Sequence, residues 1–202
     1  MGNSRGAKRR IYDIIHAHIP PPQYIGYRQK ERRYAIPINW FILSAVPIER
    51  CSPDRIGEIY EVELESFKSD DIYSIELIRF LCSFCYDNSY IYIENNRVIG
   101  YIITCIEGSS AHIISIAVRR DFRGRGVGSA LLCTALRLLE NGRVNRVYLE
   151  VRTSNKNAIS LYEKAGFKVV EILRNYYSDG EDGYKMEITD KGAAKSFCKN
   201  YK

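Results

Sequence analysis

Along this chain the spacing of apolar side chains changes period several times, and each change marks an element. Phe41 to Ile48 is a short apolar run that reads as a first strand. Ser52-Pro53 has the form of a helix start, since serine caps and proline fits the first turn, where its missing N–H costs nothing. Ile56, Ile59, Tyr60, Leu64 and Phe67 recur at helical spacing and give that helix a stripe to bury. A second helix is expected from Tyr73 to Tyr86, with Ile75, Ile78, Leu81, Cys82 and Cys85 along one side and Ser66 to Ile72 as the joint.

The later strands are spaced by turn residues. Ser89 to Glu94 and Arg97 to Glu107 flank Asn95-Asn96, a pair tolerant of positive φ, which predicts a hairpin. His112 to Val118 is apolar on both alternating faces, as a central strand is. Val127, Leu131, Ala135, Leu138 and Leu139 return to helical spacing, and Val144 to Arg152 is a further strand. Ser154 or Asn155 starts a short helix that stops at Gly166, and Phe167 to Arg174 and Gly183 to Thr189 are two last strands around an acidic loop. The order β-α-α-β-β-β-α-β-α-β-β predicts an α/β (α+β) fold, a mixed sheet with helices on both faces.

At 202 residues the chain suits one domain plus an extension. Its charge is uneven. Residues 1–45 carry eight Lys/Arg against Asp13 and Glu31, while the remainder holds 22 of each sign, so the whole net charge of +6 sits at the N-terminal end. With Lys8-Arg9-Arg10, Pro20-Pro21-Pro22 and the basic run Arg28 to Arg33, that segment is either a solvated tail or an electrostatic anchor for RNA, for instance on a ribosome. No stretch approaches the ~18 apolar residues that span a membrane, and the N-terminus lacks a signal-peptide layout, so a cytoplasmic protein without a membrane partner is expected. Six cysteines are scattered through expected helices and strands; Cys82-x-x-Cys85 is the close pair, and one such pair without a second is expected to pack in a core rather than bind metal.

Residues 112–128 concentrate the chemistry: a buried strand, a basic turn, and a glycine-rich entry into a helix. Glycine lets backbone approach an anion closely, and a helix start turns unpaired N–H groups toward it. Arg123 and Arg125 add forked donors suited to phosphate. The nucleotide-hydrolase phosphate loop is excluded, because Gly128 is followed by Ser129-Ala130 rather than Lys-Ser/Thr. A dinucleotide fingerprint stays open as an alternative, with Gly124, Gly126 and Gly128 near its spacing and Glu150 about where a ribose-binding acid would lie.

Arg123, Gly126 and Gly128 also meet R-x-x-G-x-G, and in this form the loop resembles the acyl-CoA loop of the GNAT superfamily of N-acetyltransferases. Tyr148-Leu149-Glu150-Val151-Arg152, then Asn155, Ala158, Leu161-Tyr162-Glu163 and Gly166-Phe167, then Asn175-Tyr176-Tyr177 and Glu181-Asp182 resemble the RimI/Ard group, which acetylates protein N-termini, of the ribosomal-protein-alanine type among others. The similarity runs over residues 46–190. It implies the GNAT fold, with a central, mixed, mostly antiparallel seven-stranded sheet. The chain would divide into a basic extension over 1–40, a catalytic domain over 41–190 and a C-terminal tail over 191–202.

The resemblance also implies roles. Strand alternation by itself puts Glu150 with Tyr148 and Arg152 opposite Val147, Leu149 and Val151, where burial would raise a carboxyl toward a useful base. By resemblance Glu150 is that general base and Tyr162 the acid that protonates the CoA thiolate; His112 is either a core residue or a relay partner of Glu150. Acetyl-CoA, the co-substrate, would meet the backbone of Ile116, Ala117 and Val118, the loop Arg123, Gly124, Arg125, Gly126, Val127, Gly128 and Ser129, and the side chains of Asn155 and Tyr162. Tyr177, Tyr176 and Asn175 would line the peptide groove, with Phe67 and Tyr73 on its other wall. No metal is required. The implied substrate is a protein or peptide N-terminus. The alternatives are acetylation of Lys side chains or a small amine and, in another class, a non-catalytic CoA-binding or RNA-associated module.

Overall fold

A computed structural model describes residues 47–201. Strand β1 (Ile48–Arg50) leads through a 3-10 turn, Pro53–Arg55, into helices α1 (Ile56–Ser66) and α2 (Ile75–Phe84). Strands β2 (Tyr90–Glu94), β3 (Arg97–Glu107) and β4 (Ser110–Val118) come next, then α3 (Val127–Glu140), β5 (Arg146–Arg152), α4 (Lys156–Ala165), β6 (Lys168–Leu173), β7 (Gly183–Ile188) and α5 (Lys191–Cys198). Most of the strand expected over Phe41 to Ile48 lies outside the described residues, as does the basic extension over 1–40.

The seven strands form one sheet in the order β1-β2-β3-β4-β5-β7-β6, antiparallel throughout except where β4 meets β5. Each face of the sheet carries a core. On one face α1 and α2 bury Ile56, Ile59, Val62, Ile78 and Leu81 against Ile91, Tyr101 and Ile103. On the other, α3, α4 and α5 bury Leu131, Leu136, Leu139, Ile159 and Ala194 against Ile102, Val147, Leu149 and Met186. Among the described residues no helix is long and apolar enough to cross a membrane.

Four local expectations change. Ser52 makes no side-chain cap; its carbonyl accepts the Arg55 N–H at 3.1 Å and closes the 3-10 turn instead. Leu64, expected in the buried stripe of α1, is 48 % exposed, and Val62 and Glu63 are buried in its place. Residues 191–198, expected as tail, are helical: Asp190 caps α5 by accepting from the Gly192 and Ala193 N–H groups at 2.8 and 3.0 Å. The cysteines do not merely fill the core. All six are bridged, as Cys51–Cys82, Cys85–Cys105 and Cys133–Cys198. Cys82 and Cys85 each find a partner on a different element, so their closeness in sequence misleads; packing α2 on the sheet brings Cys85 to β3, and Cys133–Cys198 staples α5 to α3.

Strand β4 is irregular in two ways that matter for the space beside it. Ser115 pairs with Ile103 and Ile113 with Thr104, so Ile114 is an extra residue bulged out of the ladder. Before it Ala111 and Ile113 point to the α3 core; beyond it Ile116 and Val118 do, while Ile114 and Ala117 serve the α1/α2 core. On its other edge β4 pairs with β5 through Ser110–Arg146, Ala111–Val147 and His112–Tyr148 only. Past these rungs the parallel strands separate.

Candidate active site

The separation of β4 from β5 opens a cavity of about 790 Å³. His112 to Ile116 and Leu149 to Arg152 form its two arms, the joint between α1 and α2 its upper wall, and Tyr176 to Ser178 of the β6–β7 loop the wall opposite. Asn155, Ala158 and Tyr162 of α4 close its far side. Phe67, Tyr73, His112, Ile116, Glu150, Asn155, Tyr162, Tyr176 and Tyr177, all expected at the site from sequence, are thus brought round one space. Asn175 does not line it. With φ of 48° and its N–H donated to Asp182 at 2.9 Å, Asn175 turns the loop instead.

At the closed end of the fork His112 and Tyr148 are cross-strand partners with stacked rings, 4.3 Å between centroids and 11° from parallel. His112 Nε2 and Glu150 Oε2 are 2.7 Å apart, with both side chains less than a tenth exposed. His112 Nδ1 lies 3.4 Å from Glu107 Oε1, an ion-pair contact short of full hydrogen-bond geometry. Burial pulls the imidazole pKa down, but the two flanking carboxylates outweigh it and hold the net value above that of a free histidine.

Tyr162 sits on the inner face of α4 and is 6 % exposed. Burial pushes its phenol up, so it stays protonated at neutral pH. Asn155 caps α4 by accepting the Ala158 N–H at 3.2 Å, and Gly166, in the left-handed region at φ 98°, stops the helix.

The glycine loop enters α3 as its sequence implies. Gly126 is the N-cap at φ 85°, a conformation that side chains resist, and no side chain caps the helix there. The first-turn N–H groups of Val127, Gly128 and Ser129 therefore precede the first helical bond, Ala130 N–H to the Gly126 carbonyl at 2.9 Å. Nothing would touch a Cβ on Gly124, so the outer rim of the cradle is open. Arg125 lies over the Phe122 ring at 5.0 Å, whereas Arg123 spends its Nε on the Val118 carbonyl at 2.9 Å and so braces the loop against β4. Arg119 is buried, held by the Val98 carbonyl, Glu61 and Glu65. Val118 and Ala117 lie on β4 past the last rung with β5, where, among the described residues, no strand pairs with them on the β5 side.

Sequence reasoning passed over three groups. Glu63, 1 % exposed, accepts the Tyr73 N–H at 2.9 Å and the Tyr101 hydroxyl, which also contacts Ser115 at 2.7 Å; desolvation raises its pKa. Glu107 accepts the Tyr148 hydroxyl at 2.6 Å. Arg152 pairs with Asp71, Asp179 and Glu181, and its guanidinium covers the Tyr177 ring at 4.0 Å, joining both walls of the cavity. The available signal was Arg152 on the same strand face as Glu150, followed by an acidic loop.

Residues 55–167 match the model of the Acetyltransferase (GNAT) family. The chain belongs to that family. An N-alpha-acetyltransferase of Sulfurisphaera tokodaii is 43 % identical over 105 residues, 46 % of this GNAT chain and 63 % of that protein, so the match spans less than two thirds of its relative. Among solved structures, Ard1 from Thermoplasma volcanium is 34 % identical, with a TM-score of 0.65, over 70 % of this chain and 95 % of that one. The ribosomal-protein-S18-alanine N-acetyltransferase from Escherichia coli is 30 % identical, with a TM-score of 0.61, over 70 % and 91 %. The dinucleotide alternative does not survive the topology: that motif belongs to a mostly parallel sheet, and here β4, α3 and β5 form a single parallel unit in a sheet that is otherwise antiparallel.

Proposed function

We propose that this protein transfers the acetyl group of acetyl-CoA to the free α-amino group of protein N-termini by direct attack in a ternary complex. The observation that carries the reading is the His112–Glu150 pair at the base of the fork, facing Tyr162 across the same cavity. Relatives named as N-alpha-acetyltransferase and ribosomal-protein-S18-alanine N-acetyltransferase support it.

The residues fit acetyl-CoA as substrate. The free edge of β4 at Ile116 to Val118 offers backbone groups to the pantetheine amides as an added strand would, and the amides at the start of α3 receive the phosphates. Polar contacts from Asn155 would then hold the arm where the thioester reaches the fork. Glu150 takes a proton from the incoming amine, directly or through water, and the amine nitrogen attacks the thioester carbon. As the C–S bond breaks, the buried Tyr162 phenol gives its proton to sulfur and is reprotonated from the amide-forming nitrogen. No step calls for a metal.

An α-amino group, with pKa near ~7.8, is about a hundredfold or more richer in the neutral form at neutral pH than a Lys side chain at ~10.4, so a modest base suffices. Phe67 and Tyr73 on one wall and Tyr176 and Tyr177 on the other form an aromatic channel suited to an extended peptide. A panel of peptides with free N-termini, set against the same peptides blocked there but containing Lys, tests the assignment. Acetylation confined to free N-termini is expected; labelling of the blocked, Lys-containing set would make it a side-chain acetyltransferase. Glu150→Gln should lower kcat by ~10²–10⁴-fold with little change in acetyl-CoA affinity.

The segment 1–40, outside the described residues, is proposed to add salt-sensitive RNA or ribosome association, since it holds the chain's entire charge excess. Equal ribosome pelleting by full-length protein and a form starting at Ile38 would remove that role. A cytoplasmic site of action is consistent with three disulfides where the cytoplasm tolerates them, as in hyperthermophiles.

A further inference from the structure

The acetylation proposed above releases one proton per turnover. An N-terminal ammonium loses two N–H protons beyond the one it keeps as an amide: one ends on the CoA sulfur, and the other must reach bulk water. The way back is a poor exit, because the Glu150 side chain is 8 % exposed and the open end of the fork is the place proposed above for acyl chain and peptide.

From Glu150 the polar groups continue into the closed base of the fork, past His112, which also lines the cavity. His112 Nε2 is 2.7 Å from Glu150, and Nδ1 on the opposite side of the ring is 3.4 Å from Glu107. Glu107 ends β3, beside the Gly108-Ser109 turn, and its side chain is 32 % exposed. Carboxylate, imidazole and carboxylate thus run from a buried end to a wet one through the closed base of the fork. The line is also held in place. Tyr148 stacks flat on the imidazole and donates its hydroxyl to Glu107 at 2.6 Å, which fixes the ring plane and the far carboxylate together.

We infer that Glu107 is the outlet of a proton relay, Glu150 to His112 to Glu107, and that Tyr148 is its positioning residue. The amine nitrogen forms its bond to the acetyl carbon, the carbon–sulfur bond breaks, and the proton taken by Glu150 is matched by one leaving Glu107 for water. The relay finishes each cycle with the protons it began with. The 3.4 Å contact is the step that closes during turnover, since hydrogen bonds of catalytic groups are commonly longer before substrate binds. Two cations lie beside the line: Arg146 is 5.4 Å from the Tyr148 ring centre and Lys185 5.1 Å, and Arg146 is engaged by Ser110 and Glu187.

The test uses full-length protein and a peptide with a free N-terminus, assayed at constant ionic strength over a series of concentrations of a small diffusible base such as imidazole. Glu107→Gln should lower kcat roughly 10-fold at low buffer, less than loss of the base itself, leave the KM for acetyl-CoA unchanged, and recover as imidazole is added; the unsubstituted protein should ignore the buffer. Tyr148→Phe should give a smaller, likewise rescuable loss. A kcat for Glu107→Gln equal to that of the parent, or a loss that imidazole does not relieve, overturns the relay. If Glu107→Gln does not fold, Glu107→Asp, which keeps the charge but draws it back, carries the same buffer comparison. Parent protein inactive on every free N-terminus would overturn the acetylation reading, and the relay with it, whereas an active parent and an indifferent Glu107→Gln overturn the relay alone.

Discussion

Arg152 grips Asp71 with two nitrogens, Nε to Oδ2 and Nη2 to Oδ1, each at 2.8 Å, and so ties the end of β5 to the joint between α1 and α2. Its third nitrogen, Nη1, reaches Asp179 and Glu181 on the β6–β7 loop at 2.9 and 2.8 Å. Two loops that flank the cavity are therefore fixed to each other through one guanidinium, a planar fork that lysine cannot imitate.

Arg152→Ala leaves three carboxylates facing one another. Peptide KM is expected to rise roughly 10-fold, about 1.4 kcal/mol, with acetyl-CoA affinity unchanged, and stability to fall by about 3 kcal/mol, the lower end for a broken buried pair, through the Asp71 pair, whose side chains are 11 % and 15 % exposed. Steady-state kinetics and urea unfolding read the two effects. The pH sense follows from the acids: hydrogen bonds from Ser154 and Arg152 hold Glu181 down to about 2, so its contribution is present above the ordinary carboxyl range and is lost as pH falls toward 2.

Gly126→Val should abolish acetyl-CoA binding in calorimetry while far-ultraviolet circular dichroism stays that of the parent. A β-branched residue resists φ of 85°, and its Cβ would stand 3.4 Å from the Tyr201 ring on the outer side. Retained binding would mean that the start of α3 is not the anion cradle.

His112 gives a pH signature of opposite sense to Glu181. Its folded pKa is raised by Glu107 and Glu150 despite burial, so its stabilising charge is fully present below about 6.5, the unfolded value, and is lost as pH rises through the folded one. Denaturant unfolding from pH 5 to 9, compared between the parent and His112→Gln, should show the parent's advantage shrinking as pH increases. A difference that is flat with pH would show that the imidazole titrates alike in the folded and unfolded chains, and one that grows with pH would show it held neutral.

Removing the Cys133–Cys198 bridge by double substitution to Ser should cost about 4 kcal/mol on the loop-entropy scale, given a sequence separation of 65. Because α5 leads to Tyr201, whose ring packs beside Gly126, the same variant should bind acetyl-CoA more weakly. Reductant should reproduce both effects in the parent.

Much of the architecture was legible in the sequence because local chemistry agreed with the final packing. Asn95 and Asn96 do take φ of 51° and 59°, Gly126 and Gly166 do bound their helices in the left-handed region, and period-two alternation put Glu150 on the correct face of β5. What escaped depends on contacts distant in sequence. The phase of α1 rested on Leu64 and Phe67 when Val62 and Glu63 face the sheet, since an acid that bonds Tyr101 across the core cannot be told from a solvated one by its neighbours. Cysteine pairing, the helix at 191–198 and the place of Glu107 beside His112 all result from how the sheet is assembled; no spacing within the chain encodes them.

The bulge at Ile114 gives β4 two reading frames, one on either side of a single residue. Removing that one residue would join them into a single unbroken alternation, with Ala111, Ile113, Ile116 and Val118 still toward α3 and Ala117 still toward α1 and α2. Both oily layers would survive, less the Ile114 side chain, and what would go is the local bend that a bulge gives its strand. A designer grafting this cleft onto another sheet could therefore keep the interior with a shortened β4 and still lose the shape of the strand that lines the cleft, and an alignment that places a one-residue gap there describes a protein with the same interior and a straighter strand.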